Sequence, residues 1–193
     1  MLRKLYDWTL RQAGHRRAMP VLGAVSFAES SVFPIPPDVL LIPMILADRR
    51  RAWRIAAWCT LTSVLGGLAG WLIGWGLYES VGRPVLEFYG YLDKFEDFSQ
   101  RYNEWGAWIV FGAGLTPFPY KVITIASGVT GLNLWVFMVA SVLARGLRFF
   151  IVAALLWKFG PWIRAFIEKY LGLLTIAFFA LLIGGFVALR YLH

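Results

Sequence analysis

The sequence contains few of the residues that build metal, redox and disulfide sites. Among its 193 residues are one cysteine, Cys59, and two histidines, His15 and His193. A single cysteine excludes an intrachain disulfide, a CxxC redox pair and a cysteine-based metal site. Both histidines lie outside the apolar runs. We therefore expect neither a metal ion nor a cofactor.

Charged residues are also scarce. They form 16% of the chain, whereas a soluble domain has about a quarter. Hydrophobic residues form 59%, so too few charges remain to cover a globular surface, and the composition predicts a membrane protein. The net charge of +8 is typical of basic cytoplasmic flanks that face anionic lipid headgroups, and it does not indicate a nucleic-acid partner.

Three apolar runs are long enough to cross a bilayer, whose hydrocarbon core needs about 20 helical residues. They are 52–78, 133–158 and 171–189. Residues 1–17 are mixed and basic, without the features of a cleavable signal, and we expect them to form a cytoplasmic N-terminal segment. The chain, 1–193, is predicted to be a single integral membrane domain.

Prolines interrupt two further apolar regions, 18–47 and 106–132. Proline has no N–H donor and disfavours a helical conformation in the residue before it, so neither region can be one continuous helix. Each is predicted to be a helix–break–helix hairpin that enters the membrane without crossing it. The prolines at the breaks are Pro34 and Pro36 in the first region and Pro117 and Pro119 in the second.

The distribution of charge predicts the orientation of these segments. Basic residues precede the first hairpin in 1–17 and follow it in 49–54, so the positive-inside rule places both of its ends in the cytoplasm. Acidic residues outnumber basic ones in 79–105, which fits the outer side. An aromatic residue or leucine recurs there every three or four positions, so this connector is predicted to be an amphipathic interfacial helix.

A shift of 83 residues places Pro34-Ile35-Pro36 on Pro117-Phe118-Pro119, and a full span follows each hairpin. The predicted fold is therefore an all-α polytopic membrane protein with two inverted repeats, 18–78 and 106–158. Each repeat is a re-entrant helical hairpin (18–47 and 106–132) plus a transmembrane helix. The interfacial helix and a C-terminal transmembrane helix complete the fold. Inverted repeats of this kind place a site near the membrane midplane.

Five charged residues lie within apolar sequence. Such groups are costly in a membrane and normally face a partner, water or a bundle interior. The two arginines are three residues apart on one helical face, which suits a phosphate, and the second half-helices direct free N–H groups at the same region. We predict that Lys121, Arg145 and Arg148 bind a lipid headgroup and that Glu29 and Asp38 bind protons. In the alternative, Glu29 and Asp38 pair with the arginines only to hold the bundle together.

Glycines recur every four residues in the first span, at Gly66, Gly70 and Gly74. Without side chains, these positions form a smooth helix face that another backbone can approach closely. We expect a packing role for this face and no direct contact with a ligand.

The Glu29-x4-Pro34-x-Pro36-x-Asp38 pattern, the glycine-rich span ending in Gly82-Arg83, the second break at Pro117 to Lys121 and the late intramembrane arginines together resemble the DedA family of bacterial inner-membrane proteins. The shorter YqaA-like branch is the most similar, and the resemblance covers about residues 18–158. It implies the re-entrant fold of the VTT (SNARE-associated) domain, which eukaryotic lipid scramblases share. It also implies membrane lipid translocation, with undecaprenyl phosphate recycling as the activity, and dependence on the proton-motive force.

In the family, acidic residues of the first hairpin and basic residues of the second half are required. The resemblance assigns the acidic roles to Glu29 and Asp38. The sequence departs from the family at the second hairpin, where many members have arginines on both sides of the proline. Here Leu115 and Thr116 precede Pro117, and Lys121 follows it.

The function predicted first is a transporter or flippase for a phosphate-bearing lipid, undecaprenyl phosphate or a phospholipid, with protons as a second ligand. An alternative is a small ion or proton exchanger or channel that uses the same charges. An intramembrane lipid-modifying enzyme is disfavoured, because no GxSxG or HExxH motif occurs and no histidine lies in a span. We expect a multi-pass protein of the bacterial inner membrane that is not an enzyme. Whether it forms a homo-oligomer stays open.

Overall fold

The computed structural model describes residues 18–32, 36–116 and 118–191, with side chains described as far as residue 162. All regular structure in these residues is helical, as the sequence predicts. A 3-10 turn, Arg49–Arg51, and a π-helical turn, Tyr78–Gly82, lie at the two ends of the helix Ala52–Leu77. The helices in chain order are α1 Ala18–Ser31, α2 Asp38–Ala47, α3 Ala52–Leu77, α4 Arg83–Tyr89, α5 Leu92–Glu104, α6 Gly106–Leu115, α7 Tyr120–Val129 and α8 Leu134–Tyr191.

Both proline-containing regions are divided into two helices, which confirms the predicted breaks. Helix α1 ends at Ser31 and α2 begins at Asp38, while α6 ends at Leu115 and α7 begins directly after Pro119. Pro36 lies between α1 and α2; Pro34 and Pro117 lie outside the described residues. The four helices have 14, 10, 10 and 10 residues. None is long enough to cross a bilayer alone.

Within the described residues, two segments are long and apolar enough to cross a membrane, Arg49–Tyr89 and Leu134–Trp162. The first contains the predicted span 52–78, and the second contains all of the predicted span 133–158 except its first residue. The predicted last span, 171–189, is not a separate helix, because α8 continues through Pro161 to Tyr191 without interruption. Side chains of 171–189 lie outside the described residues, so its crossing of the membrane stays a prediction.

Two short helices pack against α3, one along each half of its length. Helix α1 packs along its first half and α7 along its second half. In both pairs, later residues of the short helix meet later residues of α3, so both short helices run parallel to α3. The pairs are Ser26 with Cys59 and Ser30 with Ser63 for α1, and Tyr120 with Gly67 and Ile125 with Gly74 for α7.

Helix α8 is covered in the same way, by α6 and then by α2. Both run parallel to α8, whereas α8 is antiparallel to α3. Helices α1 and α6, which begin the two hairpins, therefore run in opposite directions. For α6, the contacts with α8 are Gly114 with Ala144 and Thr116 with Arg148. For α2, they are Asp38 with Arg148 and Leu46 with Gly160. For α3, they are Gly67 with Phe137, Ser63 with Arg145 and Trp53 with Trp157.

The glycine face of α3 lies directly against the two hairpins, as predicted. A methyl group on Gly66 would clash with the carbonyl of Phe27 in α1, and one on Gly74 would clash with the carbonyl of Ile125 in α7. In the same way, a methyl group on Gly128 of α7 would clash with the backbone of α3. The absence of side chains at these positions thus lets the backbones come into contact.

Apolar side chains form two separate clusters. One joins α1, α2, the first half of α3 and the second half of the described part of α8, around Leu22, Leu41, Ile45 and Phe149. The other joins α6, α7 and the beginning of α8, around Val110 and Phe137. Each hairpin therefore has a core of its own, and the polar residues described next lie where the two hairpins meet.

Candidate functional site: two ion pairs where the hairpins meet

Arg145 is the largest fully buried side chain in the described part of the chain, with 1% of its surface exposed. It lies near the middle of the predicted span 133–158. Its guanidinium is 4.9 Å from the ring centre of Tyr120 and 4.8 Å from that of Phe149, which places aromatic faces against the cation. Tyr120 in turn donates a hydrogen bond of 2.5 Å to Ser141.

Glu29 of α1 supplies the countercharge for Arg145. Its Oε2 is 2.7 Å from Nη2 of Arg145, and 12% of its side chain is exposed. The Nε–H of Arg145 donates to Ser63 Oγ at 2.6 Å. Ser63 is 2.8 Å from Ser30 Oγ, which also donates to Glu29 at 3.1 Å. Both charges are therefore held in a closed hydrogen-bond network between α1, α3 and α8.

Asp38, the first residue of α2, forms the second pair. Its Oδ2 is 2.5 Å from Nη2 of Arg148, and the exposed fractions of the arginine and aspartate side chains are 18% and 22%. Arg148 also donates from Nη1 to the carbonyl of Thr116, beyond the end of α6, at 2.9 Å. One guanidinium thus connects the breaks of both hairpins, and this pair is more accessible than the pair of Glu29 and Arg145.

Lys121 lies in the first turn of α7 and contacts the other hairpin. Its Nζ is 3.4 Å from the carbonyl of Val32, just after α1. Nearby, Thr124 Oγ1 donates to the carbonyl of Ser30 at 3.0 Å. The cation therefore lies at a helix C-terminus, where it interacts favourably with unpaired carbonyls and the helix dipole.

The five predicted charged residues thus gather where the hairpins meet, although they do not act on one shared anion in this structure. Arg145 and Arg148 each bind a different carboxylate, and Lys121 binds a backbone carbonyl. These pairs are the ones expected if the charges hold the bundle together. The proposed roles of Lys121, Arg145 and Arg148 in headgroup binding, and of Glu29 and Asp38 in proton binding, stay predictions.

Several residues of the site were not singled out from the sequence. They are small hydroxyl-bearing or aromatic residues in apolar helices, where serine and threonine commonly hydrogen-bond between helices. The available signal in the sequence was the presence of serines next to Glu29 in an otherwise apolar region. The missed residues are Ser30, Ser63, Tyr120, Thr124, Ser141 and Phe149.

The connector 79–105, predicted to be one amphipathic helix, is divided into α4 and α5, because Gly90 adopts a left-handed conformation that ends α4. Helix α5 packs over the second hairpin. Tyr102 is 3.1 Å from Ser127 of α7, and the side-chain amide of Asn103 donates to the carbonyl of Thr130 at 2.8 Å. Burial raises the pKa of the Tyr102 phenol, so this group stays neutral at physiological pH. Phe98 and Trp105 are more than half exposed, which leaves an aromatic surface for an interface.

Comparisons with known proteins identify relatives of the chain. The model of the VTT domain matches residues 35–158. An uncharacterized protein of Haemophilus influenzae is 36% identical over 185 residues, which cover 92% of this chain and 96% of the relative. An uncharacterized protein of Histophilus somni is 37% identical over 168 residues, which cover 85% and 87%. No solved structure matches the chain. The chain therefore belongs to the VTT-domain, or DedA, family of membrane proteins.

Proposed function

We propose that this protein moves a phosphate-bearing lipid, undecaprenyl phosphate or a phospholipid, across the bacterial cytoplasmic membrane, and that proton binding is coupled to this movement. The observation that carries the proposal is the pairing of Arg145 and of Arg148, each with one carboxylate of the first hairpin. A guanidinium suits carboxylate and phosphate equally well, because both offer two oxygen acceptors to its forked donors. The carboxylates therefore occupy the positions that a headgroup would take.

In this proposal the two hairpins are re-entrant and form inverted repeats with their N-terminal flank in the cytoplasm. The parallel packing of α1 on α3 and of α6 on α8 supports this topology. A re-entrant hairpin ends on the membrane face where it began. The span that follows therefore starts from the same face and runs in the same direction as the first helix of the hairpin. The opposite directions of α1 and α6 support entry from opposite faces. The breaks then lie near the membrane centre, beside the charges.

Proton binding would change the charge that the site offers to a lipid. With both carboxylates ionised, three cations face two anions, so one positive charge is in excess. Protonation of Glu29 or Asp38 leaves its arginine without a countercharge, and a phosphate can then replace the carboxylate. Deprotonation restores the ion pair and releases the headgroup. No covalent step is needed, and we do not propose an enzyme.

The test is transbilayer movement of labelled undecaprenyl phosphate and labelled phospholipid in proteoliposomes, with and without a pH gradient. We expect Arg148→Gln to abolish movement, since one of the three predicted headgroup ligands is lost. Glutamine resembles a protonated glutamate, so Glu29→Gln should bind undecaprenyl phosphate with a weaker dependence on pH and respond less to the gradient, because only Asp38 can still bind a proton.

The exposed ion pair of Arg83 and Glu87 in α4, with N–O distance 3.0 Å, provides matched controls. Arg83→Gln and Glu87→Gln make the same chemical changes outside the site and should leave movement intact. All variants must keep the elution profile of the wild type and stay folded at the temperature of the assay. Unchanged movement in Arg148→Gln and Glu29→Gln would contradict the proposal, and so would a proton or ion flux without lipid movement, which would indicate an exchanger or channel.

A further inference from the structure

A second basic site lies away from the paired charges, where the end of α2, the Arg49–Arg51 turn and α8 meet. These segments enclose a groove of about 590 Å³. Leu46 and Ala47 provide its apolar part, and the arginine turn provides its polar part. Helix α2 has ten residues, a length of about 15 Å, with Asp38 at its beginning and the groove at its end. The lining residues are Leu46, Ala47, Asp48, Arg49, Arg50 and Trp157.

The groove carries positive charge that is not neutralised by its one acidic residue. Asp48 Oδ2 pairs with Arg51 at 3.0 Å, and Asp48 Oδ1 accepts the backbone N–H of Arg50 at 3.1 Å. Among the residues whose side chains are described, no carboxylate lies within ion-pair distance of Arg49 or Arg50. Two guanidiniums therefore line the groove without a carboxylate partner among these residues.

Arg49 is held in place before any ligand binds. Its side chain lies over Gly160 of α8, where a methyl group would be 2.8 Å from Arg49 Cδ. Its Nη1 donates to the carbonyl of Trp157 at 3.3 Å. The Trp157 indole is 51% exposed and lies 6.3 Å from the ring of Trp53. Tryptophans at this level of an apolar helix are typical of the membrane–water interface.

We propose that this groove binds the headgroup of an anionic glycerophospholipid as a resident lipid that is not transported. Basic pockets between helices at the cytoplasmic surface bind lipid headgroups in this way. Arg49 and Arg50 would bind the phosphate, and the apolar end of α2 would contact the glycerol and upper acyl chain. Because the groove joins α2 to α8, the bound lipid holds together the two helices that carry Asp38 and Arg148. The site does not depend on the transport function proposed above.

The test measures binding of phosphatidylglycerol to the purified full-length protein, by native mass spectrometry and by the change in melting temperature in nanodiscs. Nanodiscs of phosphatidylcholine alone are compared with nanodiscs of equal parts phosphatidylcholine and phosphatidylglycerol. Each basic residue at a membrane surface contributes about 1 kcal/mol. We therefore expect the double variant Arg49→Gln/Arg50→Gln to bind phosphatidylglycerol about thirtyfold more weakly, at tenfold per about 1.4 kcal/mol.

Two further variants separate a built site from general surface charge. Arg83→Gln/Arg101→Gln removes two exposed arginines elsewhere and should bind as the wild type does. Gly160→Ala keeps every charge but displaces Arg49, and it should weaken binding. Equal binding by all variants, or equal weakening in the Arg83/Arg101 control, would overturn the proposal. Stabilisation by soluble inorganic phosphate as strong as that by phosphatidylglycerol would also overturn it, because the site would then be one for a free anion.

Discussion

Arg145 combines almost complete burial with a full set of partners. Its charge is balanced by Glu29, its Nε–H is bound by Ser63, and its guanidinium lies against Tyr120 and Phe149. Breaking a buried pair is strongly destabilising because one charge remains without compensation, whereas removing both charges often costs little. The contribution of the Glu29–Arg145 pair to stability can therefore be measured separately from its contribution to lipid movement.

We expect Arg145→Met to lower the free energy of unfolding by about 3–5 kcal/mol, because Glu29 is left buried and unpaired. The double variant Glu29→Gln/Arg145→Met should recover most of this stability but should not move lipid. Thermal unfolding in detergent and the proteoliposome assay measure the two properties separately. The exposed control Arg83→Met should not change the melting temperature measurably. A double variant as unstable as Arg145→Met would contradict this account of the pair.

The charged residues of the site could be predicted from the sequence, and so could an association of carboxylates with arginines, but the exact partner of each could not. A charge in an apolar run is conspicuous whatever its surroundings, so Glu29, Asp38 and Arg145 could be found. Which carboxylate binds which arginine depends on how α1 and α2 lie against α8. The roles of Ser30 and Ser63 depend on the same packing, since a serine in an apolar helix often has only a local hydrogen bond.

At the scale of the helices, the glycine face of α3 decides how closely the hairpins approach. Its glycines lie against the backbones of α1 and α7, so any added side chain must separate two helices. Close packing of this kind provides much of the association energy between membrane helices, because the hydrophobic effect does not drive it there.

We predict that Gly74→Ala destabilises the protein by about 1–3 kcal/mol, the usual cost of an added group in a filled space. Gly76→Ala is the matched control in the same helix, since a methyl group there has nothing within 4 Å. Alanine is favoured over glycine in helices, so the control should be neutral or slightly stabilising. Melting temperatures in one detergent provide the comparison. Equal losses in the two variants would show that contact with Ile125 does not determine the effect.

Helix ends were more predictable than helix continuity. Proline removes a donor and restricts its predecessor, so the breaks before Asp38 and Tyr120 follow from local chemistry. The apolar runs 133–158 and 171–189 were predicted as separate spans, yet α8 continues from one to the other and passes through Pro161. In membrane helices, neighbouring groups can compensate the bond that a proline removes. Local sequence does not reveal when this compensation occurs.

At the scale of the whole molecule, the directions of the helices connect the fold to the membrane. Helix α3 has 26 residues and a length of about 39 Å, enough to cross the hydrocarbon core. Its two halves are covered by α1 and α7, and the paired charges lie near its centre at Ser63. This arrangement predicts that both ends of the first hairpin lie on one face and that α5 lies on the other.

Cysteine labelling tests this topology in a Cys59→Ser background, where serine preserves a polar partner for Ser26. Cysteines at Arg16 and Arg50 should react with a membrane-impermeant maleimide only after the cytoplasmic membrane is opened, because both flanks of the hairpin are basic and cytoplasmic. A cysteine at the exposed Glu96 of α5 should react in intact spheroplasts. Labelling of Arg16 and Arg50 positions from opposite faces would mean that the first hairpin crosses the membrane. Labelling of all three positions from the cytoplasm would mean that α3 does not cross the membrane. The paired charges could then not lie midway between its two aqueous faces.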